Sequence, residues 1–138
     1  MSRESADAHA LLETYRAQIE QCEKLKVELD LIHDAISRTG IFCVNLLSSG
    51  DVDLARRFSS SEARDQRFEE NPWVKLVTGA PALPATLASF DCEVTQVISV
   101  HSHTVFIGAV RDIRLWQRDV DALLYVDGQY GALASRAA

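Results

Sequence analysis

The sequence predicts a mainly β domain, a small barrel or sandwich, with a long helix at its N-terminus. Residues 1–39 hold neither Gly nor Pro and are rich in Ala, Leu, Glu, Gln and Lys, all good helix formers. From Ile41 onward the apolar residues leave the helical period and fall into short runs and alternating stretches bounded by Gly, Pro and Asp. Those stretches crowd the last third of the chain, with only short helical turns among them.

The first element is the helix. Leu11, Tyr15, Gln18, Cys22, Leu25, Leu29, Ile32 and Ile36 alternate spacings of four and three, a heptad-like seam that only Gln18 interrupts. Two readings stand side by side: an amphipathic helix lying on its own domain, and a self-associating coiled coil. Ser2 or Ser5 supplies the N-cap, and Gly40 sits where a C′ glycine ends a helix.

Ile41 to Leu47 is a run of apolar residues with β-branched and aromatic members, read as a strand buried on both faces. Asn45 is its one polar side chain; buried, it must bond either to the fold or to a ligand. Residues 48–71 are polar. Asp53 to Phe58 reads as a helical turn with Leu54 and Phe58 four apart, ended by Ser59, Ser60 and Ser61. Arg56, Arg57, Arg64 and Arg67 gather here, as a solvated face or as an anion site. Thr78 to Pro84 is a turn-rich connector, barred from a central strand by its prolines.

The last third is β. Phe90, Cys92 and Val94 alternate with Asp91 and Glu93, and the strand continues to Val100. A second strand runs from His103 to Val110, with Gly108 marking a close approach; Gly79 is read in the same way, as a position without room for a side chain. Ala122 to Val126 is a third, and Asp127-Gly128 is a tight-turn signal before Gln129-Tyr130.

Composition bounds the function. Fourteen basic and twenty acidic residues give a net charge of −6, too acidic for a nucleic-acid or anionic-membrane surface, both of which need a dense positive face. No apolar run is long enough to span a membrane, and no secretory signal precedes the helix. Cys22, Cys43 and Cys92 are an odd number at wide spacing, which indicates neither a disulfide framework nor a zinc site and makes a reduced cytoplasmic compartment the expectation. His101 and His103, two apart on a strand, would share one face, but no third ligand of fitting type accompanies them, so no metal is expected. The phosphate-loop, dinucleotide-fold and serine-nucleophile motifs are all missing.

Four segments in order resemble the flavin reductase family with the FMN-binding split-barrel fold, which includes the reductase components of two-component flavin monooxygenases. They are Ile32 to Ile36 leading into Ile41 to Leu47; Leu54 to Phe58; Thr78 to Leu83 leading to Cys92; and Ser102 to Val110, closed by Leu123 to Tyr130. The fourth is similar to the family pattern D-H-x-x-F-x-G-x-V: His103, Phe106, Gly108 and Val110 match, and Ser102 replaces the acid. Family members carry a run of strands before the equivalent of Ile32, with Gly-Met-Thr, Ser-Ser-Phe and Pro-Pro stretches that supply much of the flavin site. Here a helical stretch stands in that place. The resemblance therefore implies an incomplete split barrel over 31–138 with a helical extension over 1–30. The extension replaces part of the barrel, or the chain is a truncated or rearranged relative. Its open edges would be covered by the helix or by a second copy.

The resemblance also implies the activity: NAD(P)H-dependent reduction of FMN or FAD, with the reduced flavin passed to a partner monooxygenase. The cofactors carry the redox chemistry, and the chain needs no nucleophile. His103 matches the family histidine near flavin and nicotinamide and is the catalytic candidate. Asn45, Arg56, Arg57, His103 and Tyr130 are the cofactor-binding candidates, with a homodimer expected. Two alternatives stay open: a flavin-binding module without turnover, and an interaction protein assembled through its helix.

Overall fold

The computed structural model describes residues 3–60, 62–69 and 71–133; within the N-terminal helix, side chains are described only at 12–20, 23 and 30–39. The chain divides into two compact units, Met1–Arg38 and Thr39–Ala138.

The first unit is α1 (Arg3–Thr39), 37 residues long, which at 1.5 Å per residue is about 55 Å. Its C-terminus has a physical stop. Arg38 lies in the last turn, where a cation meets the negative end of the helix dipole, and its Nε donates to Asp34 O at 3.3 Å. Gly40 follows at φ +67°, the left-handed conformation a C′ glycine adopts. Glu13 and Arg16 form an exposed i,i+3 pair at 3.1 Å. Of the heptad seam, Tyr15 and Ile32 are more than half exposed. The side chains of Leu11, Cys22, Leu25 and Leu29 lie outside the described residues, as does the N-cap candidate Ser2, while Ser5 falls inside the helix.

The second unit is built on strands: β1 (Ile41–Leu46), β2 (Val74–Lys75), β3 (Pro81–Ala82), β4 (Ala88–Val100), β5 (His103–Leu115), β6 (Leu124–Val126) and β7 (Gln129–Gly131), with one short helix, α2 (Val52–Ser59). The main sheet has the order β1-β4-β5, all antiparallel; β2 pairs with β3 and β6 with β7. β4 and β5 form a long hairpin closed by His101 and Ser102, with His101 at φ +51°. His101 is thus a turn residue, and the two histidines do not share a strand face. The register of the hairpin shifts twice, skipping Arg111 on one strand and Thr95 on the other. Such bulges bend and twist a sheet as a barrel wall requires. Beside the second shift a Cβ built on Gly108 would lie 2.7 Å from the Phe42 ring, so that ring rests on bare backbone. Gly79 differs from its sequence reading: nothing lies within 4 Å of an added Cβ, and its φ of +90° is what favours glycine.

The core sits where the Thr78–Leu83 connector crosses β4. Leu83, Ala82, Ala80, Ala88 and Cys92 are buried. Asp91, Ser89, Thr86 and Ser48 are buried with them. Asp91 breaks the alternation that placed it on a polar face: it is 0% exposed. Its carboxylate accepts the Thr78 backbone N–H at 2.8 Å and also the Thr78 hydroxyl, while Thr78 Oγ1 accepts the Ala80 N–H at 3.1 Å. The connector covers this face of β4 because its free backbone donors find a buried acceptor there. β1 also departs from the expected two-sided burial. It is an edge strand of the three, and Val44 and Leu46 are 50% and 40% exposed. The β4–β5 hairpin is likewise bare along its length, with Val97, Val100, Val105, Val110 and Ile113 all about half exposed.

Candidate functional site

The site is organised by α2. Val52, Leu54, Ala55, Arg56, Phe58 and Ser59 divide at helical spacing into two faces. Leu54, Ala55 and Phe58 line a cavity of about 310 Å³ together with Cys43, Asn45 and Leu47 of the β1 segment, Trp73 and Leu83. Val52, Arg56 and Ser59 line an open groove of about 610 Å³ whose other wall is the β6–β7 hairpin, with Tyr125, Gly128, Gln129 and Tyr130.

Local bonding holds α2 in that position. The Asp51 carboxylate accepts the Ser48 N–H at 2.7 Å and its hydroxyl at 2.8 Å, fixing the turn between β1 and α2. Leu123 N donates to Leu47 O and Ser49 N to Asp121 O, which ties the segment before β6 to the end of β1. On the face of the helix turned away from the groove, Phe58, Phe68 and Trp73 meet edge-on or tilted, with ring centroids 5.0–5.9 Å apart. The Arg67 guanidinium lies 5.9 Å from the Phe58 ring, and its Nη2 donates to Ser60 O at 2.8 Å. The loop after α2 is thereby folded back onto it.

In the groove the Arg56 guanidinium lies over the Tyr130 ring at 5.8 Å, and Tyr130 meets Tyr125 at 5.0 Å. Arg56 is also 3.8 Å from Asp53, an exposed i,i+3 pair of small energetic consequence. Arg57, half-buried on the same helix, is not among the groove residues. A cation above an aromatic ring, beside a second tyrosine, suits a flat ring that carries negative charge.

Asn45 faces the cavity, but its amide is heavily engaged. Its Oδ1 accepts the Leu83 N–H at 2.9 Å and the Ser89 hydroxyl at 2.6 Å; its Nδ2 donates to Pro81 O at 3.2 Å. Ser89 in turn accepts the Trp116 indole N–H at 2.8 Å. Asn45 therefore pins the connector across β1 and β4. The neighbouring Cys43 thiol is pushed up to about 11, chiefly by burial and further by the nearby Asp91 carboxylate and Cys92. The Cys92 thiol is raised for the same reasons, burial first and Asp91 second.

His103 is exposed at the first position of β5, with Nδ1 3.3 Å from Ser102 Oγ. It stands at the tip of the hairpin. Leu115, at the other end of β5, pairs with Ala88, about 40 Å away along the strand at the usual rise. The structure thus brings Arg56 and Tyr130 together. It sets Asn45 on the other side of α2, and the groove residues do not include His103. Sequence reasoning missed Tyr125, Trp73 and the Ser89–Trp116 pair; Tyr125 was open to it, five residues before Tyr130 across the Asp127-Gly128 turn. Among the described residues no three His, Cys, Asp or Glu side chains gather as metal ligands, and no helix is long and apolar enough to cross a membrane.

Residues 28–134 match the family model described as a flavin reductase like domain. The chain belongs to that family. It is similar to the FMN reductase (NADH) RutF of Pseudomonas syringae pv. syringae (strain B728a), 38% identical over 104 residues that cover 75% of this chain and 58% of that protein. Among solved structures it is similar to the nitrilotriacetate monooxygenase component B homologue from Mycobacterium thermoresistibile, 30% identical, with a TM-score of 0.67 over 73% of this chain and 56% of that one. It is similar also to the flavin reductase PheA2, 28% identical, with a TM-score of 0.63 over 75% of this chain and 64% of that one. The chain spans about half the length of the curated relatives it matches. The matched region opens inside α1, so most of that helix lies outside the matched residues.

Proposed function

We propose that this chain is an NAD(P)H-dependent flavin reductase domain that supplies reduced FMN or FAD to a partner monooxygenase in the cytoplasm. The observation that carries the reading is the Arg56–Tyr130 groove in a member of this family. The residues present fit the ligands by their chemistry: a guanidinium for phosphate, and two tyrosine rings for a flat heterocycle. The nicotinamide supplies a hydride and the flavin accepts it, so the chain needs neither a nucleophile nor a general base.

Arg56 and Tyr130 bind and orient in this reading, with Arg57 adding positive charge from the same helix. Asn45 acts as a positioning residue through the connector it holds. His103 is assigned to orienting the dinucleotide. Because it sits at the hairpin tip, it reaches a flavin site most directly across a homodimer. The domain comprises 31–138 with a helical extension over 1–30, and the split barrel is incomplete; the bare apolar faces of β4 and β5 support that view.

The test follows NADH and NADPH oxidation at 340 nm with and without added FMN or FAD, on the full chain. Flavin-dependent oxidation is expected. Flavin binding without oxidation would leave only a binding module, and neither activity would overturn the reading. A second reading, assembly through α1, is favoured by the exposure of Leu12, Tyr15, Ile19 and Ile32 along the helix. It predicts oligomers in sedimentation that dissociate in Leu25→Glu/Leu29→Glu, with no effect of flavin on stability.

A further inference from the structure

We propose that α1 pairs with α1 of a second copy as a two-stranded, parallel coiled coil held in register by Gln18. The pairing rests on assembly through this helix and adds the number of strands, their direction and the residue that fixes them.

From Leu12 to Glu20 every side chain is exposed, and the apolar Leu12, Tyr15 and Ile19 are more than half exposed. Ile32 is as bare further along. A helix in water draws most of its stability from packing an apolar face, so a 37-residue helix with this seam open calls for a partner. The heptad spacing names a second copy as that partner: Tyr15 and Leu29 fall at a positions, and Leu11, Gln18 and Leu25 at d. Two such seams packed together over 11–36 bury on the order of 1,000 Å², the size at which specific interfaces begin.

Gln18 sets the direction. In a parallel pair in register, each d side chain faces the same d side chain of the other copy. The Nε2 of one Gln18 then donates to Oε1 of the other, and the one polar layer of the seam satisfies itself. In an antiparallel pair a d position faces an a position, where Tyr15, Cys22, Leu29 and Ile36 offer no matching amide. The flanks agree with a parallel pair. Each g residue faces the e residue five positions on in the other copy, which sets Gln21 against Lys26 and Glu28 against His33, with no like charges together. A third strand would bury these polar flanks at a desolvation cost, so the coil stops at two.

The test places a thiol at one end of the seam. The full chain carrying Leu11→Cys and Cys22→Ser is oxidised with diamide and run on a non-reducing gel beside Cys22→Ser alone, with sedimentation giving the association of each. In a parallel pair the two residues at position 11 face each other, and a cross-linked dimer is expected only in the variant that carries Leu11→Cys. In an antiparallel pair that sets 11 against 36, they stand about 37 Å apart at 1.5 Å per residue and do not cross-link. Adding Gln18→Leu is expected to tighten association about tenfold and at least to halve the cross-link, because nothing then selects one direction. Association that survives Leu25→Glu/Leu29→Glu would overturn assembly through α1 and this pairing with it. Association lost in that variant, with no cross-link through position 11, would overturn the parallel pairing alone. A cross-link undiminished by Gln18→Leu would overturn the role given to Gln18.

Discussion

Asn45 is where a structural and a ligand-binding role give opposite results. Asn45→Ala removes the acceptor for the Leu83 N–H and the Ser89 hydroxyl, and the donor to Pro81 O. Pro81 is exposed, so its carbonyl turns to water at little cost. Leu83 and Ser89 are 0% exposed, so the Leu83 N–H is stranded, and Ser89 keeps only its bond from Trp116. One stranded buried amide costs about 1–3 kcal/mol and a lost neutral hydrogen bond about 1 kcal/mol, which gives about 2–4 kcal/mol in all. With a urea slope of about 2 kcal/mol/M, the unfolding midpoint falls by about 1–2 M. Tryptophan fluorescence reads the transition, since Trp116 is part of the network. Ser89→Ala is milder, and the double-mutant cycle between the two positions should show coupling of about 1 kcal/mol. The reasoning fails if Asn45→Ala unfolds within about 0.3 M of the parent yet loses flavin binding, for then the amide serves a ligand and not the connector.

Gly108→Ala forces a methyl to 2.7 Å from the Phe42 ring and 3.1 Å from Cys92 Cβ; thermal melts should show a loss of about 1–3 kcal/mol, reduced when Phe42→Leu is added. Burial keeps the Cys43 thiol protonated up to about 11 against an ordinary 9.0. It should therefore resist iodoacetamide at pH 8 until urea opens the fold. The sign for stability follows: a neutral thiol favoured by folding leaves stability whole below pH 9 and erodes it between 9 and 11, a slope that Cys43→Ala should flatten in pH-dependent melts. Arg56→Gln keeps hydrogen-bonding capacity but removes the charge over Tyr130; the KM for FMN should rise several-fold with kcat little changed, and steady-state kinetics in which only kcat fell would contradict a binding role.

Much of the fold was legible in the chain because local chemistry decided it. Gly40 ended the helix by backbone conformation alone, and Asp127-Gly128 marked the β6–β7 turn by composition alone. What escaped was set by contacts distant in sequence. Asp91 reads as an outward residue in an alternating strand until the Thr78 turn is laid on top of it. The two register shifts carry no signature, because neither Thr95 nor Arg111 is a glycine or proline. The end of β4 at Val100 and the start of β5 at His103 were legible from the alternation, whereas the continuation of β5 past Val110 to Leu115 was not. At the site, the clustering of Arg56 with Tyr130 depended on the tether between β1 and the segment before β6, which no local pattern announces.

The two irregularities in the hairpin offset each other. Each adds a single residue to a different strand, so the pairings Asp91 with Asp112 and Gln96 with Ile107 keep one common sum, and only the stretch between them is displaced. Losing Thr95 alone, or Arg111 alone, would throw the distal arm out of step and turn its side chains over. Losing both would leave the tip aligned. The hairpin can therefore change length in this region only by paired events, one on each strand, and homologous chains should gain or lose these residues together.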